Sequence, residues 1–394
     1  MTQREVVVVS AVRTAIGSFG GALKDVPLTV LGATVVRAAL DRSGAPAADI
    51  GHVVMGNVIP TEPQDAYLSR VAAIDAGLPI EVPAFNVNRL CGSGLQAIVC
   101  AAQSILLGDA DLAIGGGAES MSRGPYLLPA ARWGARMGDM QGVDYMTGIL
   151  HDPWKRNHMG VTAENVAARH GIGRAEQDAL ALQSQQRAAK AIAEGRFAGQ
   201  IVGVEVRTRQ GMRTFDTDEH VRGDVTAEAL AKMKTVFREG GSVTPGNASG
   251  INDGAAALVL AEAGKAAQLG LTPLARLVGY AHAGVEPDYM GMGPVPAVRL
   301  VLRRTGLTLA DMDVIESNEA FAAQACAVAK ELGFDMDKVN PNGSGISLGH
   351  PVGATGAIIS VKAIHELHRT GTRYALVTMC IGGGQGIAAI YERL

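Results

Sequence analysis

Short apolar runs alternate along the chain with longer segments in which apolar residues recur at helical spacing. Runs of this length that are rich in β-branched residues are typical of buried strands. In the first two thirds of the chain the strand-like segments are residues 5–10 (EVVVVS), 53–55, 112–114 and 256–260. The helical segments there include residues 28–40 and 94–107. This alternation predicts an α/β fold.

The C-terminal part repeats the pattern. Its strand-like segments are residues 275–279, 314–315 and 374–379, and its helical segments are residues 297–304 and 355–367. Asn57 lies 34 residues before Cys91, and Asn318 lies 32 residues before His350. In both parts a glycine-rich turn precedes a small-residue helix, which precedes a strand that ends in three glycines, at 115–117 and 382–384. We predict an internal duplication; the alternative is chance similarity between two alanine-rich segments.

The composition is that of a protein able to bury a large core. Of the 394 residues 47 % are hydrophobic and 19 % are charged, which excludes general disorder. The 50 glycines lack the three-residue period of collagen. A net charge of −3 and only 4 % aromatic residues do not favour nucleic-acid binding. The length suggests two or three domains.

Cellular location is inferred from what the sequence contains. No stretch reaches 18 uninterrupted apolar residues, and residues 1–10 do not read as a secretory signal. The four cysteines, Cys91, Cys100, Cys326 and Cys380, form no CxxC pair and are too few for a disulfide framework. We expect a cytoplasmic protein without a membrane span, with free thiols.

Residues 121–249 differ in charge from the rest of the chain. This segment holds both tryptophans, and its 17 basic and 14 acidic residues give it a net charge of +3, which leaves −6 for the remainder. A locally basic insertion on an acidic body favours an anionic ligand. The alternative is an exposed helical insertion with ordinary solvated charges.

Cys91 and His350 are the first candidates for chemistry. Cys91 lies in NRLCGSGL, where a loop becomes a helix, so the positive end of the helix dipole is expected to lower its pKa. His350 lies at the equivalent place of the second repeat, where pseudo-twofold packing would bring it to Cys91 as an activating base. The alternatives are a structural cysteine and a loop histidine.

Cys380 and Asn318 are further candidates. Cys380 ends a strand and opens a glycine turn whose N–H groups can hold an oxyanion, so its thiol suits acid–base work. Asn318, in SNEAF, can orient a water or a carbonyl. Structural roles are the alternative for both.

The segment 343–349 lacks a dinucleotide-binding context, and P-loop and serine-hydrolase motifs are absent. No metal site is indicated, and His365 and His368 are expected on a solvated helix face.

Seven motifs carry a resemblance to a known family. In chain order they are NRLCGSGLQA, GGGAESMSR, HMGVTAENVA, GNASGINDGAAA, SNEAFAAQ, NGSGISLGHPVGATG and CIGGGQG. Together they resemble the thiolase family over essentially the whole chain, most of all the biosynthetic β-ketothiolases of bacterial polyhydroxyalkanoate pathways. Residues 61–73 resemble the broad-chain-length members.

The resemblance implies a fold and an assembly. Two repeated βαβαβαββ halves would form a five-layered αβαβα core, with a CoA-binding loop domain inserted in the first half. The implied units are residues 1–120 with 250–273, the insertion 121–249, and residues 274–394. Residues 120–138 match the family's tetramerisation loop, so the resemblance implies a homotetramer built as a dimer of dimers.

The resemblance also implies the role of each site residue. Cys91 would be the acylated nucleophile, activated by His350, and Cys380 would move the α-proton of the acetyl group. Asn318, through a water, and His350 would form one oxyanion hole; the N–H groups of Cys91 and Gly382 would form the other. The positions that match CoA contacts are Leu150, His158, Met159, Arg222, Phe237, Ser249, Met290, Ala320 and Phe321. Ala229, Pro245 and Lys234 depart from the common pattern, which affects contacts to the nucleotide end of CoA.

The expected activity is therefore that of an acetyl-CoA C-acyltransferase with ping-pong kinetics. It would condense acyl-CoA with acetyl-CoA, or run in reverse, on short chains and without a resident cofactor. Acyl-CoA and CoA are the expected partners, with no nucleic acid or membrane. A degradative thiolase of fatty-acid or aromatic breakdown is the alternative among enzymes, and a non-catalytic lipid carrier or scaffold is the alternative outside them.

Overall fold

A computed structural model describes residues 4–394. The strands are β1 (Val6–Thr14), β2 (Gly17–Ser18), β3 (Ile50–Gly56), β4 (Ala84–Val87), β5 (Leu112–Ser120), β6 (Tyr126–Leu127), β7 (Val143–Asp144), β8 (Ile201–Val202), β9 (Val204–Thr208), β10 (Gly211–Phe215), β11 (Asn252–Glu262), β12 (Ala275–Gly284), β13 (Val314–Ser317), β14 (Tyr374–Ile381) and β15 (Gln385–Arg393). The α-helices are α1 (Leu28–Ser43), α2 (Leu68–Asp75), α3 (Ser93–Leu107), α4 (Tyr145–Ile149), α5 (Met159–His170), α6 (Arg174–Ala193), α7 (Ala227–Ala231), α8 (Ala263–Gln268), α9 (Pro294–Thr305), α10 (Ala322–Leu332), α11 (Gly345–Leu348) and α12 (Thr355–Thr370).

The large sheet consists of two halves with the same strand order. The first half runs β1-β11-β5-β3-β4 and the second runs β12-β15-β14-β13. In each half the first two pairings are antiparallel and the next is parallel. A parallel bridge between Ile315 and Val339 takes the place of β4 in the second half. The halves meet where β1 and β12 pair antiparallel over two residues. The predicted α/β fold with two repeated halves is confirmed.

Alternation along the strands builds the layers. Val6 and Val8 of β1 pack in a hydrophobic cluster with α3 and α12, whereas Val7 and Val9 pack with α1 on the other face. A third cluster joins the second half of the sheet to α9 and α10. Three helical layers therefore enclose two sheet layers, which is the predicted αβαβα order, and α3 and α12 form the middle layer.

The middle layer requires glycine where α3 and α12 begin. A Cβ atom on Gly94, the second residue of α3, would lie 2.7 Å from the nitrogen of Ala357. A Cβ atom on Gly356, the second residue of α12, would lie 2.4 Å from the nitrogen of Leu95. The contact is reciprocal, so Gly94 and Gly356 are equivalent positions of the two repeats. The two helix starts touch through backbone, and the loops that precede them converge.

This equivalence corrects the repeat alignment at His350. Cys91 lies two residues before α3, whereas His350 lies five residues before α12. The position equivalent to Cys91 is therefore Gly353, and the prediction that His350 occupies it was wrong by three residues. A short helix, α11, and the turn after it add length before His350, which sequence spacing alone does not reveal.

The alignment of the two triple-glycine motifs is also wrong. Gly56 pairs with Gly117 in the first half, and Ser317 pairs with Thr378 in the second. Since Asn57 and Asn318 follow Gly56 and Ser317, Gly117 is equivalent to Thr378. The glycines at 115–117 lie inside β5, where α3 and the Gly353 loop pack directly against the strand backbone. A Cβ atom on Gly117, for example, would lie 2.3 Å from the Gly353 oxygen. Those at 382–384 form the turn after β14.

The insertion 121–249 is partly continuous with the core. Its strand β8 pairs with β1, and its Asp218 forms a fully buried ion pair with Arg13 at 2.7 Å. The predicted domain boundaries stay a prediction.

His365 of α12 is half-buried with its ring on the Ala11 oxygen at 2.9 Å, so the expectation of a solvated face is wrong for it; His368 is exposed.

One segment of the described chain is long and apolar enough to cross a membrane. It spans residues 90–107, and 61 % of it is buried. This segment is α3 with the turn before it, in the middle layer of the core. Core helices commonly pass the same test, so the finding is weak support for a membrane span.

Replacing Gly94 by alanine is expected to lower the free energy of unfolding by about 2 kcal/mol, because the new Cβ meets backbone that cannot rotate away. Chemical denaturation would measure the change. Gly148→Ala in α4 is the control, since nothing lies within 4 Å of its added Cβ. Equal midpoints for the two variants would contradict the close contact of the two helix starts.

Candidate active site

One cavity of about 520 Å³ receives nearly all the predicted site residues. Four of the five predicted catalytic residues line it, namely Cys91, His350, Cys380 and Gly382. So do all nine predicted CoA contacts, which are Leu150, His158, Met159, Arg222, Phe237, Ser249, Met290, Ala320 and Phe321. Asn318 is the one predicted residue that does not line it. The cavity opens where the loops before α3 and α12 meet the turn after β14.

Cys91 ends a tight turn before α3. Leu90 has a positive φ of 46°, and the Ser93 hydroxyl closes the turn by accepting from the Arg89 N–H at 2.8 Å and donating to the Leu90 oxygen at 2.6 Å. Burial raises the pKa of the Cys91 thiol to about 11, although the N–H groups of Gly382 and of Cys91 itself favour the thiolate. The expectation that the helix dipole lowers this pKa is therefore wrong, because desolvation is the larger effect.

His350 is buried with one ring nitrogen unpaired. Its Nδ1 contacts the Thr355 hydroxyl at 2.7 Å, and its backbone N–H donates to Asn252 Oδ1 at 2.9 Å. The Thr355 hydroxyl can accept from Nδ1–H while donating to the Pro351 oxygen, or donate to bare Nδ1, so it accommodates both tautomers. Nε2 has no hydrogen-bond partner among the described residues. Burial lowers the pKa of His350 to about 4, which keeps the ring neutral and able to take a proton.

Cys380 lies at the end of β14, opposite Gly386 of β15. Its side chain is buried. Burial and the negative charge of an ionised Cys91 both raise the pKa of the Cys380 thiol far above its ordinary value. The two sulfurs are therefore coupled, and ionisation of one opposes ionisation of the other.

Asn318 follows β13 in a loop held by buried side chains. Asn340 accepts from the Ser317 N–H at 2.9 Å and donates to Glu319 Oε1 at 2.8 Å, and Ser184 donates to Glu319 Oε2 at 2.6 Å. The side-chain oxygen and nitrogen of Asn318 are buried without a hydrogen-bond partner in the described chain. A buried amide of this kind suits the binding of a water molecule, which fits its predicted indirect role.

The predicted CoA contacts form a mostly apolar wall that includes one arginine. His158 caps α5 by accepting from the Gly160 N–H at 3.0 Å, and its ring stacks on Phe237 with centroids 4.7 Å apart. Phe237 in turn meets Phe321 edge to face at 6.2 Å. Arg222 supplies positive charge on the same wall. An apolar channel with one cation suits a long, mostly neutral arm that ends in phosphates.

Of the positions that depart from the family pattern, Pro245 lines the cavity, whereas Ala229 donates its N–H to Thr226 Oγ1 at the start of α7.

Several other residues at this site were not predicted from the sequence. Asn252 and Thr355 hold His350, and Glu119 contacts the loop after it. The corrected repeat alignment would have singled out Glu119, because it makes Glu119 the equivalent of Cys380. Among residues 4–394 no group of three or more metal-binding side chains is found.

A cavity with two thiols and a neutral imidazole, at the meeting point of two duplicated α/β halves, defines the class of the thiolases. The chain belongs to the thiolase family. Residues 6–264 match the thiolase N-terminal domain and residues 271–393 match the thiolase C-terminal domain.

The chain is similar to curated relatives over its whole length. It is 67 % identical to the beta-ketothiolase BktB of Cupriavidus necator, over 99 % of this chain and 100 % of that protein. It is 53 % identical to the acetyl-CoA acetyltransferase of Chromobacterium violaceum, with the same coverage.

Solved structures share the fold. The acetyl-CoA acetyltransferase of Bacillus anthracis matches with a TM-score of 0.97 and 47 % identity, over 100 % of this chain and 99 % of that one. Human mitochondrial 3-ketoacyl-CoA thiolase in complex with CoA matches with a TM-score of 0.97 and 43 % identity, over 100 % and 98 % of the two chains. The chain is thus a thiolase by sequence and by structure, and thiolases are acyltransferases.

The pKa of Cys91 leads to a testable pH dependence. Because burial raises that pKa, the thiolate fraction and hence the rate of alkylation by iodoacetamide should keep rising through about pH 10. Mass spectrometry of the Cys91 peptide would follow the rate, with Cys91→Ser as the control for the other three thiols. A rate that levels off below about pH 8 would show that the helix dipole outweighs desolvation.

Proposed function

We propose that this thiolase is a β-ketothiolase that reversibly condenses an acyl-CoA with acetyl-CoA to a 3-ketoacyl-CoA. The observation that carries the proposal is the meeting of two thiols and an imidazole with an unpaired Nε2 in one apolar cavity. The names of its relatives, a beta-ketothiolase and acetyl-CoA acetyltransferases, support the same activity.

The first half-reaction transfers the acyl group to the enzyme. Sγ of Cys91 attacks the carbonyl carbon of the acyl-CoA while His350 Nε2 takes the thiol proton. The bond between that carbon and the CoA sulfur breaks, and the sulfur leaves as free CoA with the proton of the Cys380 thiol, so Cys380 becomes a thiolate while His350 keeps the proton from Cys91. The base is needed because the raised pKa of Cys91 keeps it a thiol at neutral pH.

The second half-reaction forms the carbon–carbon bond. The Cys380 thiolate left by the first half-reaction takes a proton from the methyl carbon of acetyl-CoA, and this carbon attacks the carbonyl carbon of acyl-Cys91. The bond to Cys91 sulfur breaks, and the sulfur receives the proton held by His350, which restores both thiols and the neutral imidazole. Acylation favours the Cys380 thiolate, because acyl-Cys91 cannot carry the negative charge that raises the pKa of Cys380.

Two sets of donors hold the oxygens that become negative. The N–H groups of Cys91 and Gly382 face the carbonyl oxygen at Cys91, since both favour a negative sulfur there. Asn318, through a water, and His350 Nε2 serve the enolate oxygen of acetyl-CoA. Fixed donors in a water-poor cavity stabilise such charge strongly. The reaction needs no resident cofactor, since CoA thioesters are the substrates.

Assembly and location complete the proposal. We place the protein in the cytoplasm as a homotetramer, with residues 120–138 at the contact between dimers. Trp133 is 90 % exposed and Met137 is 91 % exposed in this segment, and exposed apolar groups of this size are typical of interfaces. The free state of all four cysteines is typical of a reducing compartment.

An acyl-enzyme is the direct test. Mixing the protein with acetyl-CoA is expected to add one acetyl group to Cys91, seen by intact-protein and peptide mass, and to release free CoA. Cys91→Ser should lose the adduct and about 10⁴-fold or more of the condensation rate. Cys100→Ser is the matched control. An adduct that persists in Cys91→Ser would refute the assignment of the nucleophile.

The acyl-chain preference separates this proposal from a degradative thiolase. We expect thiolysis of acetoacetyl-CoA and 3-ketovaleryl-CoA to exceed that of long-chain 3-ketoacyl-CoA by about tenfold or more in kcat/KM. A steady-state series of chain lengths measures this ratio. Higher kcat/KM on the long chains would favour the degradative role.

A further inference from the structure

Glu119 is a buried carboxylate that the reaction above leaves without a role. It lies in β5 opposite Gly254 of β11, as Cys380 lies in β14 opposite Gly386 of β15. The duplicated fold therefore places a titratable side chain at the same strand position in both halves. Cys380 lines the cavity, whereas Glu119 is fully buried and does not line it.

The carboxylate of Glu119 joins two loops through four donors. Oε1 accepts from Asn57 Nδ2 at 2.8 Å and from the Ile59 N–H at 3.0 Å. Oε2 accepts from the Val58 N–H at 3.1 Å and from the Gly353 N–H at 2.7 Å. All four groups donate, so they fit the ionised carboxylate. No described lysine or arginine forms an ion pair with it.

Each of these two loops supports one catalytic group. A Cβ atom on Gly56 would lie 2.6 Å from the Ser93 carbonyl carbon and 2.7 Å from the Gly353 oxygen, so the loop after β3 is wedged between the start of α3 and the loop after His350. Gly353 follows His350 by three residues. Movement of Glu119 would therefore change the position of the imidazole relative to the Cys91 turn.

Glu119 also acts on the nucleophile by charge. The charged or titratable groups that face it are Cys91 and Asp253. Burial raises the pKa of Glu119 to about 8, although the N–H groups bonded to it favour the ionised form. Once ionised, Glu119 adds a small increase to the pKa of Cys91. Asp253 is itself held by the N–H and hydroxyl of Ser122, at 2.9 and 2.6 Å. A negative charge at Glu119 makes the nucleophile harder to ionise, so its effect on Cys91 does not explain why a carboxylate is present here. The four hydrogen bonds explain it, because a carboxylate accepts them best.

We propose that Glu119 is a positioning residue of the thiolase reaction, whose carboxylate fixes the loop after β3, which packs on the start of α3 beside the nucleophile, and the loop after His350 in one arrangement. Glu119 occupies the strand position that Cys380 occupies in the other half, but it holds catalytic groups in place and does not itself react. The inference rests on the proposed function, since it assigns Glu119 to the acyl transfer between CoA and Cys91.

Two variants of Glu119 separate the effect of side-chain length from the effect of charge. Glu119→Gln keeps the length but presents an amide NH₂ to donors, and Glu119→Asp keeps the charge but is one methylene shorter. Both are expected to lower kcat about 100-fold, since misplacement of catalytic groups by about 1 Å has that effect. KM should change less than kcat, because none of the predicted CoA contacts is hydrogen-bonded to Glu119. Asp65→Asn is the matched control, a buried carboxylate that accepts from the Thr61 and Glu62 N–H groups away from the cavity.

The pH profile of Cys91 alkylation gives a readout that a purely structural role would not move. Above about pH 8 Glu119 is ionised, so Glu119→Gln removes a negative charge and should shift the profile to lower pH, whereas Glu119→Asp and Asp65→Asn should leave it in place. Wild-type kcat in both Glu119 variants, or an unshifted profile in Glu119→Gln, would overturn the inference.

The acetyl adduct on the wild-type protein separates the two proposals. If wild-type Cys91 takes no acetyl group, the proposed function fails whatever the variants do. If it does, and the Glu119 variants acetylate at the wild-type rate, only the role of Glu119 fails. Should Glu119→Gln not fold, Asn57→Ala removes one of the four hydrogen bonds and is expected to lower the acetylation rate about tenfold. Unchanged rates in Asn57→Ala and Glu119→Asp together would overturn the proposal.

Discussion

The backbone contact between the starts of α3 and α12 is the constraint on which the rest of the structure depends. Both helices lie between the two halves of the sheet, and only glycine at 94 and 356 lets their first turns touch. Because the helices meet at their N-terminal ends, the loops that carry Cys91 and His350 converge on one cavity. A wider separation would leave each candidate at the end of its own half, as an isolated thiol and an isolated imidazole.

Burial then decides the ionisation of the groups that meet there. Desolvation raises the pKa of both thiols and lowers that of the imidazole, so all three favour their neutral forms. Charge is created only during reaction, where N–H groups are already directed at the sulfur. Such an arrangement suits acyl transfer, because a permanently ionised thiol would need solvation that an apolar cavity does not provide.

The duplication shows how one fold supplies different chemistry at equivalent positions. Register equates Glu119 with Cys380 and Asn57 with Asn318, while the helix contact equates Cys91 with Gly353. In the first half Glu119 accepts four hydrogen bonds. In the second half the equivalent residue, Cys380, faces the cavity. Asn57 is likewise paired to Glu119, whereas the Asn318 amide is buried without a partner. The asymmetry of the site thus arises within a symmetric framework.

The sequence by itself determined the α/β class and the duplication, because apolar periodicity and glycine-rich motifs are local and specific. Its resemblance to a known family also predicted 13 of the residues that line the cavity. It also missed β4, β15 and helices such as α2, whose local patterns are weak. Only the tertiary structure decided which positions of the repeats are equivalent, since pairing register and helix contact are set by distant backbone, and α11 alters the spacing before His350. It also decided the sign of the Cys91 pKa shift. The helix dipole is visible in the sequence, whereas the desolvation that exceeds it arises only when the surrounding layers pack around Cys91.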